Sequence, residues 1–211
     1  MPRQPDTRDR ARREFARLLT ERGYLGVSLD EIAKVVDVKK ASLYHHFPGG
    51  KPALFMEVAH GYVEETAAAL HEALRTEGGL RQKLLAVAVT YARGTYDSAL
   101  GDQIYYATRH LDEKRRAEIS QAYVRALIEP VTELMAGAVG AGELREAEPG
   151  FLATAFMELA GTLQPMPEDL AMPPQERPAP SPADRRVQEV VDLFLHGAAP
   201  AAPAAPAAPA V

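Results

Sequence analysis

The chain has 211 residues, 46% hydrophobic and 25% charged, with a net charge of −5, the composition of a folded protein with room for one large or two modest cores. It contains no cysteine, which excludes disulfide frameworks, thiolate zinc sites and cysteine nucleophiles. No apolar run approaches the roughly 20 residues that span a bilayer, and the basic start MPRQPDTRDRARREF is not followed by the apolar segment of a signal peptide, so a cytoplasmic location without a membrane partner is expected.

Apolar residues recur at three- and four-residue spacing nearly throughout, which predicts an all-α fold. A first helix is expected over Thr7–Arg22, with Ala11, Phe15, Leu18 and Leu19 on one face, arginines around it and Gly23 as its stop. Ser28-Leu-Asp-Glu31 then has the spacing of a capping box, in which the Ser hydroxyl and the Glu carboxylate each satisfy a backbone N–H. It opens a short helix that buries Ile32, Ala33 and Val36. A third helix runs from Lys39 to His46 with Leu43 and Phe47 inward. A fourth begins near Lys51-Pro52, where proline suits the first turn, and continues through Leu54, Phe55, Val58, Tyr62, Thr66 and Leu70.

Leu80, Leu84, Val87, Tyr91 and Thr95 form a fifth stripe, and a shorter element is expected over Gly101–His110. A long helix follows over Glu113–Val139, with a kink predicted at Pro130 because proline has no N–H to donate. Further helices are expected from Pro149 through Leu163 and from Ala183 to His196, the last burying Val187, Val190, Val191 and Phe194. Seven of the 17 prolines fall in residues 165–182 and four more in 199–211, where Pro-Ala-Ala repeats predict a disordered tail. The division expected is residues 1–51, residues 52–198 and that tail.

Charge separates the first of these parts from the rest. Residues 1–51 hold 11 of the 24 Lys and Arg and 7 of the 29 Asp and Glu, leaving −9 on the remainder. A basic segment on an acidic body fits attachment to a polyanion at one end. Within it, two short helices joined by a tight turn and braced by a third have the layout of a helix-turn-helix, whose second helix reads DNA. Lys39, Lys40, Ala41 and Ser42 open that helix, where small and cationic side chains approach base edges and phosphates, with Tyr44 and His45 one turn on. Lys51, at the start of the next helix, adds its ammonium to a helix N-terminus as a phosphate site.

Gly23-Tyr24, Ser28-Leu-Asp-Glu-Ile-Ala-Lys34 and Leu43-Tyr-His-His-Phe-Pro-Gly-Gly-Lys-Pro-Ala-Leu54 closely resemble the DNA-binding domain of the TetR family of bacterial regulators. The resemblance covers about the first 55 residues. It implies a homodimeric repressor of a double-stranded DNA operator, with an N-terminal three-helix helix-turn-helix domain and a C-terminal helical domain that binds a small-molecule effector and dimerises through its last two helices. By position it implies phosphate contacts at Ser28 and Lys51, recognition by Lys39, Lys40, Ala41 and Ser42, and phosphate or base-methyl contacts at Tyr44 and His45. Three positions depart from the family pattern: Asp37 stands for the usual turn glycine, Lys39 for a capping serine and Ala41 for glycine.

For the effector, Tyr62, Tyr91, Thr95, Tyr106, Phe156 and Met157 fall on or beside apolar faces, and Arg109, with His110, Glu158 and Gln164, offers the few polar groups a pocket needs. The fourth helix, running from Lys51 to Tyr62 and Thr66, would carry the effector's influence to DNA. Val187, Val191 and Phe194 are expected to supply apolar burial between protomers. His60 and Glu64 have one-turn spacing, but a lone pair of this kind predicts no metal, and no cofactor or catalytic residue is predicted. An all-helical enzyme lacks a visible acid/base pair, which leaves as the alternative a helix-turn-helix protein controlled by a protein partner.

Overall fold

The computed structural model describes residues 7–94, 98–164 and 183–198, and in them the regular structure is helical. The expected Pro-rich connection, Thr95 and the Pro/Ala tail lie outside the described residues. The chain forms two compact units, one of residues 1–71 and 93–127, the other of residues 72–92 and 128–211.

In the first unit, α1 (Thr7–Arg22) buries Ala11, Phe15, Leu18 and Leu19 at no more than 1% exposure, the stripe that its sequence predicts. Gly23 ends it at φ 69°, in the left-handed region. Helix α2 (Leu29–Val35) starts at Ser28, whose hydroxyl accepts the Glu31 N–H at 3.2 Å. Only this half of the expected capping box forms, because the Glu31 carboxylate turns to the Arg22 guanidinium at 2.6 Å. A charge-assisted bond to an arginine outcompetes one to a backbone amide.

The turn after α2 closes as a Schellman motif, with the Val38 N–H on the Ala33 carbonyl at 2.9 Å and Asp37 at φ 54°. Asp37 is the one described residue other than glycine with positive φ, and its short polar side chain makes that conformation tolerable. Asp37→Val is expected to destabilise the protein by about 1–2 kcal/mol, whereas Asp37→Gly is expected to be neutral or stabilising; urea unfolding of the two variants checks this.

Helix α3 (Lys40–His46) and the start of α4 (Gly50–Leu74) complete the first core, in which Leu43, Phe47, Leu54 and Phe55 are at most 1% exposed. Gly50 sits at φ 65°, and a Cβ there would lie 3.5 Å from the Tyr44 ring. Further along α4, a Cβ at Gly61 would fall 2.6 Å from the Arg12 guanidinium, so a larger residue there would displace the end of that side chain. Helix α6 (Ser98–Ala107) packs Ile104 and Ala107 into the same core, and a 3-10 turn over Thr108–His110 leads to α7 (Glu113–Tyr123), capped by Asp112.

The long helix expected over 113–139 is instead divided. A π-helical turn occupies Val124–Ile128, immediately before α8 (Glu129–Gly140) with Pro130 in its first turn. The proline ring crowds the carbonyl four residues back, and the wider π turn accommodates that clash.

The second unit holds α5 (Leu80–Ala92), α8, α9 (Pro149–Gly161) and α10 (Ala183–Ala198). Its core contains Leu84, Val87, Val131, Met135, Leu152, Ala153, Phe156, Ala160 and Val191. Arg81 of α5 pairs with Asp192 of α10, holding both groups in their charged forms, and the Arg145 N–H donates to the Ala198 carbonyl at 2.8 Å. The expectation that Val187, Val191 and Phe194 bury between protomers is overturned. They are 4%, 0% and 5% exposed within this single chain, because the apolar face of α10 is already covered by α5 and α9.

Candidate nucleic-acid interface

Burial of Leu43 and Phe47 fixes the rotation of α3 and so decides what it presents. With those two inward, Lys39, Lys40, Ala41, Tyr44 and His45 are exposed on the outer face, and Ser42 is half-buried. Lys39 is the N-cap residue, but its side chain makes no cap bond; the structure leaves unmade the hydrogen bond that a serine would supply here. Tyr44 is 45% exposed, its ring resting against Gly50 at the start of α4.

Two cations on this face are already engaged. The Lys40 ammonium lies 2.8 Å from the Asp30 carboxylate on α2, and this bond raises the lysine pKa above its ordinary value. The Lys51 ammonium lies 4.2 Å above the centroid of the Tyr24 ring, where burial lowers its pKa below the usual lysine value. Here the structure departs from a lysine pointed outward at phosphate. Tyr24 in turn meets the Phe55 ring edge-on at 5.4 Å and stacks on His110 at 5.8 Å with the planes 8° apart. Burial pushes its phenol pKa up, opposed by the nearby Arg115.

Of the expected effector residues, the structure brings together Tyr106 and Arg109, whose guanidinium lies 5.3 Å from the ring centroid. They line a cleft of about 340 Å³ with Arg22, Tyr24, Gln103 and His110. Tyr62 lines another cleft in the same unit, beside Arg12 and Glu65. Tyr91, Phe156 and Met157 belong to the other unit, where Phe156 is fully buried against Phe194 at 5.2 Å and Met157 is half-buried. His60 pairs with Glu118 at 3.0 Å, a carboxylate on another helix, not with Glu64.

Asp30 and Tyr24 are the residues that sequence reasoning passed over as partners of the DNA face. Asp30 lies ten positions before Lys40, across a turn that brings α2 beside α3, so no single-helix periodicity relates them. Tyr24 lies within the matched motif, yet its role depends on α4 and the 3-10 turn arriving from distant parts of the chain.

Residues 13–58 match the profile of the bacterial regulatory proteins of the tetR family, and residues 82–197, more than half the chain, match that of the AefR-like transcriptional repressor C-terminal domain. The chain belongs to the TetR family. It is accordingly a helix-turn-helix transcriptional regulator, with α2 and α3 as the helix pair. The curated relatives it matches are similar only locally. The negative regulator IcaR of the biofilm operon icaADBC in Staphylococcus aureus is 59% identical over 34 residues, 16% of this chain and 18% of that protein, so the match spans about a fifth of the relative's length.

Solved TetR-type structures share the fold across nearly the whole chain. A tetR-family regulatory protein from Rhodococcus RHA1 superposes with a TM-score of 0.72 at 18% identity, covering 94% of this chain and all of that one. AibR, solved with isovaleryl coenzyme A and operator DNA, superposes with a TM-score of 0.67 at 19% identity, covering 92% and 98%. Among the described residues of this TetR-family chain, no helix is long and apolar enough to cross a membrane.

Proposed function

We propose that the protein is a homodimeric repressor that binds a roughly palindromic operator through α3 and is released by a small-molecule effector. The observation that carries the DNA-binding part is the outer face of α3, where Lys39, Lys40, Ala41, Tyr44 and His45 stand exposed while Leu43 and Phe47 lock the helix from behind. Residues 1–51 are then the DNA-binding part and 52–198 the effector and dimerisation part. One seven-residue helix reads only a few base pairs, so a second copy supplies the remaining contacts, with the paired helices about 34–36 Å apart. On α9 and α10 the large apolar side chains left facing outward are Phe151, 59% exposed, and Leu193, 63% exposed, and these replace the buried Val187, Val191 and Phe194 as the dimer surface. That AibR was solved with both an acyl coenzyme A and operator DNA supports effector control in a protein of this fold.

Mobility-shift titration of the full chain against its own upstream duplex, across salt and with a metabolite panel, tests the proposal. Log affinity should fall linearly and steeply with log salt, and random duplex should bind far more weakly. In the same assay Lys40→Ala is expected to relax base preference at one position of each half-site roughly tenfold, the mark of a base contact and not a phosphate anchor. A salt-independent affinity, or equal binding to random duplex, overturns operator recognition. A monomer in sedimentation overturns the dimer, and indifference to every metabolite favours control by a protein partner.

A further inference from the structure

We propose that the cleft formed by the end of α1, α6 and the Thr108–His110 turn binds a small aromatic carboxylate, and that this ligand acts on the DNA face through Tyr24 and Lys51. The proposal rests on the DNA-binding reading above and supplies its regulation from within the first unit.

The lining is cationic and flat. Arg22, Arg109 and His110 contribute two guanidinium groups and an imidazole, Tyr24 and Tyr106 contribute ring surfaces, and among the described residues no carboxylate lines the cleft. Arg22 is held by Glu31 just outside it. Arg109 lies over the Tyr106 ring and makes no ion pair among the described residues, which leaves its planar fork available to a carboxylate. A volume of about 340 Å³ admits one substituted ring. A compact inorganic anion would satisfy the guanidinium but leave the ring faces and the exposed Leu25 side chain uncovered, whereas an aromatic carboxylate uses both kinds of surface.

The route to DNA is short. Tyr24 is at once a wall of the cleft and the seat of the Lys51 ammonium, 4.2 Å from its centroid. Its ring meets Phe55 edge-on and stacks on His110, another wall of the cleft. A ligand clamped between Arg109 and the Tyr24–His110 stack holds that ring in place, and with it holds Lys51 folded onto the ring and away from phosphate. Ligand and operator are then antagonistic, each weakening the other by the same factor.

The test uses the full chain and salicylate as probe, with inorganic phosphate alongside. Calorimetry without DNA should show saturable binding of one salicylate per chain, weakened at least tenfold by Arg109→Ala and also weakened by Arg109→Lys, which keeps the charge but loses the fork. Salicylate should lower operator affinity, and the weaker operator binding left in Lys51→Ala should no longer respond to it. Absence of saturable binding, binding unchanged by Arg109→Ala, or phosphate bound as tightly as salicylate overturns the ligand class assigned to the cleft. Salicylate binding that leaves operator affinity unchanged overturns the coupling through Tyr24. Because the calorimetry contains no DNA, failure to bind any operator would sink the regulator reading without deciding the cleft.

Discussion

Phe156→Ala is expected to lower the unfolding free energy by about 3–5 kcal/mol and the melting temperature by roughly 10 °C. The side chain is fully buried and meets the Phe194 ring edge-on at 5.2 Å, so truncation leaves a cavity between α9 and α10 and removes an aromatic pair. The measurement separates two roles for this residue. A pocket wall could be cut back with little effect on the ligand-free protein and a large effect on effector affinity; a core residue shows its cost in a melt with no ligand present. A variant as stable as the parent would return Phe156 to the effector site.

The double reversal Lys39→Glu/Lys40→Glu is expected to weaken operator binding by at least about 100-fold at moderate salt, and to flatten the salt dependence, because cations that displace counterions become anions facing phosphate. Both side chains are exposed and neither belongs to the core, so the circular dichroism spectrum and melting temperature should stay near those of the parent. Mobility shift and thermal melts on the same preparation check the two halves of the prediction. Loss of binding together with loss of the fold would mean that the lysines stabilise α3 itself.

The helical stripes were legible because each is a local pattern. The α1 face of Ala11, Phe15, Leu18 and Leu19 and the cap at Ser28 involve residues at most four apart, and they form where spacing places them. The tight turn at Asp37 was legible through the resemblance alone, since Asp37 stands where the family has a turn glycine and takes the left-handed conformation at φ 54°. Competition between partners was not legible. Glu31 had a choice between an amide and the Arg22 side chain, and Lys40 and Lys51 each found a partner from another element. Helical periodicity also marks which side of a helix is apolar without saying what covers it, so Val187, Val191 and Phe194 read equally well as an interface and as the core they form. The π turn before Pro130 was missed for a related reason: proline signals that the ladder must adjust, while the surrounding packing selects where.

The Asp30–Lys40 pair bears on how the protein spends its time on a chromosome. Asp30 is an internal counterion, 57% exposed and within 2.8 Å of the ammonium. Whenever Lys40 leaves it for a duplex, the carboxylate is left facing the polyanion, a repulsion felt at every sequence alike. If Lys40 reads a base edge as proposed, contacts at the operator would offset that repulsion, whereas bare phosphates elsewhere would not. On the proposed reading of Lys40 as a base contact, Asp30 would thus weaken binding to irrelevant DNA more than to the operator, and Asp30→Asn would be expected to raise affinity for random duplex in the mobility-shift assay.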